Sequence, residues 1–215
     1  MKRLVIFDLD GTLINTIADL ADSVNHALQS SGYPVHDYHE YPLFVGNGIY
    51  KLIERALPTQ NRDEQTIRSV KELFMEHYMI HNTDKSCVYA GVPELLQSLA
   101  EKKVGVAVAS NKVHEATVSM MRHFFSQIPF VCVLGQRDGV PTKPNPAIVG
   151  DILQAAGVSP SEALYVGDSG VDMQTAHNAG IVAVGVTWGL RSVEELKRNN
   201  ADIIIDRPAE LMKYL

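Results

Sequence analysis

Three short motifs carry side chains that can do chemistry, each after an apolar run, and a lysine lies between the last two. Asp8-Leu9-Asp10-Gly11-Thr12 follows LVIF, and Ser110-Asn111 follows VGVAVA. Gly167-Asp168-Ser169-Gly170-Val171-Asp172 follows ALYV, and Lys143 stands in TKPNP between the second and third of these. Two carboxylates two residues apart, followed by a glycine that tolerates positive φ, would bring both side chains to one crevice. Asp8, Asp10, Asp168 and Asp172 gathered there would repel one another. A divalent cation would offset that cost, and oxygen-only donors suit Mg²⁺. A lone D-x-D also describes a turn or a helix cap. The ordered conjunction of motifs, each closing a strand, is what points to a site.

The elements that must position these residues follow from hydrophobic pattern. Residues 3–8, 104–110, 131–135, 163–168, 181–186 and 202–206 read as strands. Most are continuous apolar runs, as expected for strands buried on both faces of a parallel sheet. Helical patterns separate most of them. Residues 91–102 place Val92, Leu95, Leu96 and Leu99 on one face; Asn145 caps a helix that opens on Pro146 and stops at Gly157; a shorter helix spans 171–179. Alternation of this kind predicts an α/β fold, a doubly wound parallel sheet whose strand ends form the ligand crevice. A helix starting near Lys112 would let Asn111 act as its cap or reach a ligand.

Residues 15–86 differ, with helical stripes and no strand signal. Ile17, Leu20, Ala21, Val24 and Leu28 lie behind a Thr16 N-cap, with Asp19 in the capping-box position. Ile49, Leu52, Ile53, Ala56 and Leu57 make a second stripe, and Ile67, Val70, Leu73, Phe74 and Ile80 belong to a third. The expected organisation is a core of residues 1–14 and 87–215 with an inserted all-α cap domain, residues 15–86, joined through a two-strand hinge.

Composition agrees with an ordinary globular protein. The 215 residues carry 19 Lys+Arg against 25 Asp+Glu, a formal net charge of −6, which argues against a nucleic-acid partner. No apolar run reaches the ~18–20 residues of a membrane span, so no membrane is expected. The start MKRLVIFDLD holds two aspartates and no signal-peptide core, so a cytoplasmic location is expected. Cys87 and Cys132 read as two buried, reduced thiols.

The chain resembles the haloacid dehalogenase superfamily, in the subgroup with a helical cap after the first motif, and within it the phosphoglycolate phosphatases. The stretches that carry the likeness are FDLDGTLINT, VGNGIYKLIERAL, ASNK, TKPNP, GDSGVDMQTAHNAG, GVTWGL and DIIIDRPAEL, across nearly the full length. Asn15, where Asp is frequent, and His177, where Lys is common, depart from the pattern. The resemblance implies a Mg²⁺-dependent phosphatase acting on a small phosphorylated metabolite, as a monomer or homodimer. Asp8 would attack phosphorus to give an aspartyl-phosphate. Asp10 would protonate the leaving alkoxide and then deprotonate the hydrolytic water. Ser110 and the backbone around Gly11 and Thr12 would hold phosphoryl oxygens, and Lys143 would neutralise charge. Asp8, the Asp10 carbonyl and Asp168 would hold the metal, with Asp172 acting through water. Thr12 would orient Asp10 or cap the turn.

In proteins of this type the loop between the first two cap helices selects the substrate. Here Gly46-Asn47-Gly48 opens an amphipathic helix whose amides would suit an anion, and Lys51 and Arg55 share the face opposite Ile49, Leu52 and Ile53. His77 and His81 are four apart on a helix, a metal-compatible spacing with no third ligand evident in the sequence. Trp188 and Arg191 are expected to order a loop near the sheet edge. An inorganic pyrophosphatase or a β-phosphoglucomutase-like enzyme would share these catalytic motifs. A metal-free dehalogenase would leave Asp10, Asp168 and Asp172 without a task. A receiver-type phosphoacceptor module would need no insert.

Overall fold

The computed structural model describes all 215 residues. Two compact units divide the chain: Met1–Asn15 with Val88–Leu215, and Thr16–Cys87. In chain order the elements are β1 (Leu4–Phe7), β2 (Ile14–Asn15), α1 (Ile17–Ser30), α2 (Tyr41–Phe44), α3 (Ile49–Ala56), α4 (Glu64–His81) and β3 (Cys87–Val88). They continue with α5 (Val92–Glu101), β4 (Gly105–Val113), α6 (His114–Phe125), β5 (Cys132–Gln136), α7 (Ala147–Ala156), β6 (Ala163–Gly167), α8 (Gly170–Asn178), β7 (Val182–Val186), α9 (Val193–Arg198) and β8 (Ile203–Ile205). None of these helices is long and apolar enough to cross a membrane.

Six strands of the first unit form one parallel sheet in the order β5-β4-β1-β6-β7-β8. Alternation along β1 sends Val5 and Phe7 to one face, against Val92, Leu95, Leu96 and Leu99 of α5 and Met120, Met121 and Phe125 of α6. Leu4 and Ile6 face the other way, against Ile148, Val149 and Ile152 of α7 and Met173 and Ala176 of α8. Helices thus cover both faces, which is why these strands are apolar throughout. Truncating Ile6, with no exposed surface, to Ala would cost about 2–5 kcal/mol. From β1 the chain moves to β4 and β5 on one side, then returns to β6 on the other. The strand order therefore reverses at β1, and the crevice opens at its carboxyl end.

The Thr16–Cys87 unit is built from α1 to α4 and two single-turn helices. Leu20, Ala21, Val24, Ala27 and Leu28 of α1 are buried, as are Ile67, Val70, Phe74 and Tyr78 of α4, the two helices packing on each other. Asp63 caps α4 by accepting from the Thr66 amide at 3.0 Å. The start of α1 differs from expectation. Thr16 makes no side-chain cap, and buried Asp19 turns instead to the far end of the unit. It accepts from the amides of Lys85 (2.9 Å) and Ser86 (2.8 Å) and from the Ser86 hydroxyl (2.6 Å). A tertiary closure that satisfies three donors wins over a local cap that satisfies one. Both cysteines are free, but they are not the buried thiols expected: Cys87 is exposed and Cys132 half-buried. β2 and β3 form a separate two-stranded sheet where the chain leaves and rejoins the first unit.

Candidate active site

Asp8 follows the last residue of β1, Ser110 and Asn111 lie near the end of β4, and Asp168 follows β6. These three adjacent strands are held in register by the pairings Phe7↔Val108 and Phe7↔Val166. Carboxylate oxygens of Asp8, Asp168 and Asp172 all lie within 4.8 Å of one another, and all three residues are buried. The fourth expected member, Asp10, turns aside. Its carboxylate accepts from Lys112 Nζ at 2.9 and 3.3 Å, so three carboxylates gather rather than four.

Lys143 is the hub. Its ammonium shares three N–H groups among four acceptors, Asp8 Oδ1 (2.8 Å), Asp172 Oδ1 (2.8 Å), the Ala109 carbonyl (3.0 Å) and the Tyr165 hydroxyl (3.0 Å). Asn111 fixes the backbone behind it, donating to the Lys143 carbonyl at 3.1 Å and accepting from the Lys143 amide at 2.8 Å. That corrects the expectation of Asn111 as a helix cap. β4 runs through Lys112 to Val113 and α6 begins only at His114, so there is no helix for Asn111 to cap. Asp172 belongs to α8, whose N-cap is Ser169. Its Oδ2 accepts from the Ser169 amide (3.1 Å) and hydroxyl (2.6 Å) while Oδ1 meets Lys143. Asp172 is thus fully engaged as an organiser of Lys143 and of the helix start.

Asp168 Oδ2 accepts from the Leu190 amide at 2.6 Å. The fit is tight: a Cβ on Gly189 would lie 2.2 Å from Asp168 Cβ, and one on Gly11 would lie 2.3 Å from Asp168 Oδ2. Gly11 also has φ +87°, so only glycine suits that turn. Trp188 Nε1 donates to the Thr12 carbonyl at 3.0 Å, so the TWGL loop braces the Asp8–Thr12 turn rather than merely ordering a sheet edge. The Thr12 hydroxyl, buried, has no hydrogen-bond partner; it neither orients Asp10 nor caps the turn. The Ser110 hydroxyl accepts from the Lys112 amide at 3.2 Å.

Electrostatics report a site short of positive charge. Burial, then the neighbouring Asp172 carboxylate, pushes Asp8 from 3.8 up to about 7, against the pull of Lys143. Burial, then Asp172 and Asp8, lifts Asp168 well above the carboxylate range. Burial disfavours the Lys143 charge, yet Asp172 and Asp8 override it and hold the ammonium well above the ordinary lysine value. One ammonium among three buried carboxylates leaves excess negative charge, and the donors are all hard oxygens. Asp8 and Asp168 therefore fit Mg²⁺. Tyr165 and Lys112 are not singled out by the sequence pattern. Tyr165 reads as one more apolar strand residue, and Lys112 as a helix residue.

In the helical unit, Gly46 (φ 110°) and Gly48 (φ 82°) make the turn before α3, and no side chain caps that helix. Arg55 does not stand in solvent. It donates to the Phe44 carbonyl at 2.9 Å and to Asn47 Oδ1 at 2.8 Å, bracing the turn from below, while Lys51 pairs with Glu54 at 2.6 Å. His177 lies 3.3 Å from Asp202, and Arg191 lies 3.8 Å from Glu195.

A family model described as haloacid dehalogenase-like hydrolase matches residues 5–186. A curated phosphoglycolate phosphatase of Vibrio parahaemolyticus is 32% identical over 218 residues, covering 99% of this chain and 96% of that protein. Another, from Mannheimia succiniciproducens, is 34% identical over 220 residues, covering 99% and 98%. A crystal structure of a proposed phosphoglycolate phosphatase from Lactobacillus delbrueckii superposes with a TM-score of 0.93 at 29% identity, covering 100% of this chain and 98% of that one.

Proposed function

The chain belongs to the haloacid dehalogenase-like hydrolases and is a phosphatase, and on that premise we propose a Mg²⁺-dependent phosphomonoesterase that works through an aspartyl-phosphate. Its proposed substrate is a small phosphorylated acid of the 2-phosphoglycolate type. The observation that carries the reading is Lys143 bridging Asp8 and Asp172 at 2.8 Å each, at the carboxyl end of β1.

In the first step an Asp8 oxygen bonds to phosphorus as the ester P–O bond breaks, and Asp10 gives its proton to the leaving alkoxide. To do so Asp10 carries a proton and releases Lys112. In the second step Asp10 takes a proton from water, whose oxygen bonds to phosphorus. The Asp8 P–O bond breaks, returning the carboxylate and releasing phosphate. Ser110 and backbone amides after Asp8 and Ser110 hold the phosphoryl oxygens, those of Gly11 and Thr12 being already donated to the Ile14 and Leu9 carbonyls at 2.9 and 3.3 Å, and Lys143 stabilises charge on Asp8 and on the transferring group. Asp8, Asp168 and the Asp10 carbonyl would hold Mg²⁺, with Asp172 kept on Lys143 and the start of α8 rather than serving the metal through water. Bound there, the ion would neutralise the carboxylates and stabilise the phosphoryl charge.

The substrate class rests on two supports: the names of the relatives, and the uncapped α3 start behind Gly46-Asn47-Gly48, whose amides favour a carboxylate. A phosphate-release panel with Mg²⁺ tests it, spanning 2-phosphoglycolate, ethyl phosphate, pyrophosphate, sugar phosphates and nucleotides. One charge-assisted contact of ~1.5–3 kcal/mol makes 2-phosphoglycolate roughly 10- to 150-fold better in kcat/KM than ethyl phosphate. Equal turnover of the two removes the carboxylate role, and faster pyrophosphate hydrolysis replaces the proposed substrate with pyrophosphate.

A further inference from the structure

The helical unit holds a second group of ligating side chains that the phosphatase chemistry does not use. His77 and His81 lie one turn apart on α4, and the fold brings α1 alongside so that His26 stacks on His77. Ring centroids are 4.3 Å apart for His26–His77 and again for His77–His81. All three rings line a surface cavity of about 400 Å³, together with Asp22, Asp84 and Lys85. This supplies the third imidazole that the spacing of His77 and His81 lacks.

The hydrogen bonds around the rings prepare them as ligands. His81 Nδ1 lies 2.8 Å from Asp84 Oδ2. An ionised carboxylate only accepts, so Nδ1 carries the proton that faces Asp84, and Nε2 is the ring nitrogen turned away from that bond. His77 Nδ1 lies 2.9 Å from the Ser23 hydroxyl. An outer partner on one ring nitrogen is the usual support of a metal-binding histidine. Charge balance also favours a neutral His77: burial, then His26 and His81, lowers its pKa against the opposing Asp22 and Asp84. Asp22 is already committed to Lys85 at 2.6 Å and to the Tyr38 hydroxyl, which sets a carboxylate against the Lys85 charge.

We propose that His26, His77 and His81 form a second cation site, which takes one borderline transition-metal ion of the Zn²⁺ class. Two histidines at i and i+4 share a helix face and reach a single ion, and imidazole nitrogen selects Zn²⁺, Ni²⁺ or Cu²⁺ over Mg²⁺. Binding turns the stacked rings so that their nitrogens converge, and water completes the tetrahedral set. The site is separate in chemistry from the carboxylate cluster, which offers only oxygen.

The test is a Zn²⁺ titration of the whole chain at saturating Mg²⁺, in competition with a chromophoric chelator. ¹⁵N NMR of the imidazoles and thermal melting accompany it. One Zn²⁺ per chain is expected, with the His26, His77 and His81 nitrogen resonances shifting together. His77→Ala, His81→Ala and His26→Ala should each weaken Zn²⁺ by ~100-fold or more, and Asp84→Asn by about 10-fold. Asp168→Asn, altered only in the carboxylate cluster, should keep the affinity within about two-fold, since imidazole rather than carboxylate sets it. Absence of bound Zn²⁺ under these conditions overturns the site. So does an affinity that His26→Ala leaves unchanged, or one that Asp168→Asn abolishes.

Discussion

Lys143 in the sheet unit and Lys85 in the helical unit each ion-pair with aspartate at under 3 Å, yet they do different work. Lys143 is 4% exposed and holds two carboxylates from different elements, together with a tyrosine hydroxyl and a main-chain carbonyl. Lys85 is exposed, and water screens its bond to Asp22. A buried ammonium among carboxylates is kept only where every neighbour is arranged for it. A surface pair of the same length adds little. The contrast marks the first as machinery and the second as surface, although both read as a lysine near aspartates.

The largest effect expected on the buried side is at Asp8. Asp8→Asn keeps the shape and removes the nucleophile, so phosphate release should fall by at least about 10⁴-fold while the melting curve stays cooperative. Full activity in Asp8→Asn would falsify the mechanism.

Asp10→Asn should cost about 10²–10⁴-fold on an alkyl phosphate and much less on an activated aryl phosphate, whose leaving group needs no proton. Equal losses on both substrates would exclude Asp10 as the acid.

Replacing each lysine by Met breaks the comparison directly. Without Mg²⁺, Lys143→Met leaves Asp8 and Asp172 facing each other, buried and uncompensated, at a cost of about 3–5 kcal/mol by chemical denaturation. Lys85→Met should leave the denaturation midpoint unchanged. Matching losses in the two variants would refute the distinction.

The smallest effect expected is on pH and metal. Asp8 binds its proton more tightly in the fold, with a pKa of about 7 against an ordinary 3.8. The unfolded chain therefore gives up that proton first, and metal-free stability should fall as pH rises from about 4 to about 7. Mg²⁺ at about 100 times its Kd should restore about 2.7 kcal/mol at pH 8, about 5–10 °C in Tm. A metal-free chain that gains stability over this interval would contradict the charge-deficient cluster.

Much of the sheet unit was legible because its signals are local. Continuous apolar runs such as LVIF and ALYV can only be strands buried on both faces. Asp8 and Asp168 follow them directly, where the backbone turns out of the sheet. The misses share a cause. The cap reading of Asn111 failed because the end of β4 depends on pairing with β5 through Val113↔Gln136, which no local pattern displays. Asp19 lies in a good capping position, but the amides it serves are 66 and 67 residues away. Gly189 is singled out by no local pattern, and its need for a bare Cα shows only with Asp168 placed against it.

The sequence by itself determined the parallel sheet, the helical insert and the family, because residue type, spacing and apolar runs are properties of neighbours along the chain. Tertiary structure alone decided the pairings: Lys112 with Asp10, Tyr165 with Lys143, Asp19 with Ser86, and His26 with His77. Each joins residues from different elements. The burial that makes Lys143 and Asp8 strong partners arises only when β1, β4 and β6 lie side by side, for a charge loses its water only after the rest of the chain has surrounded it.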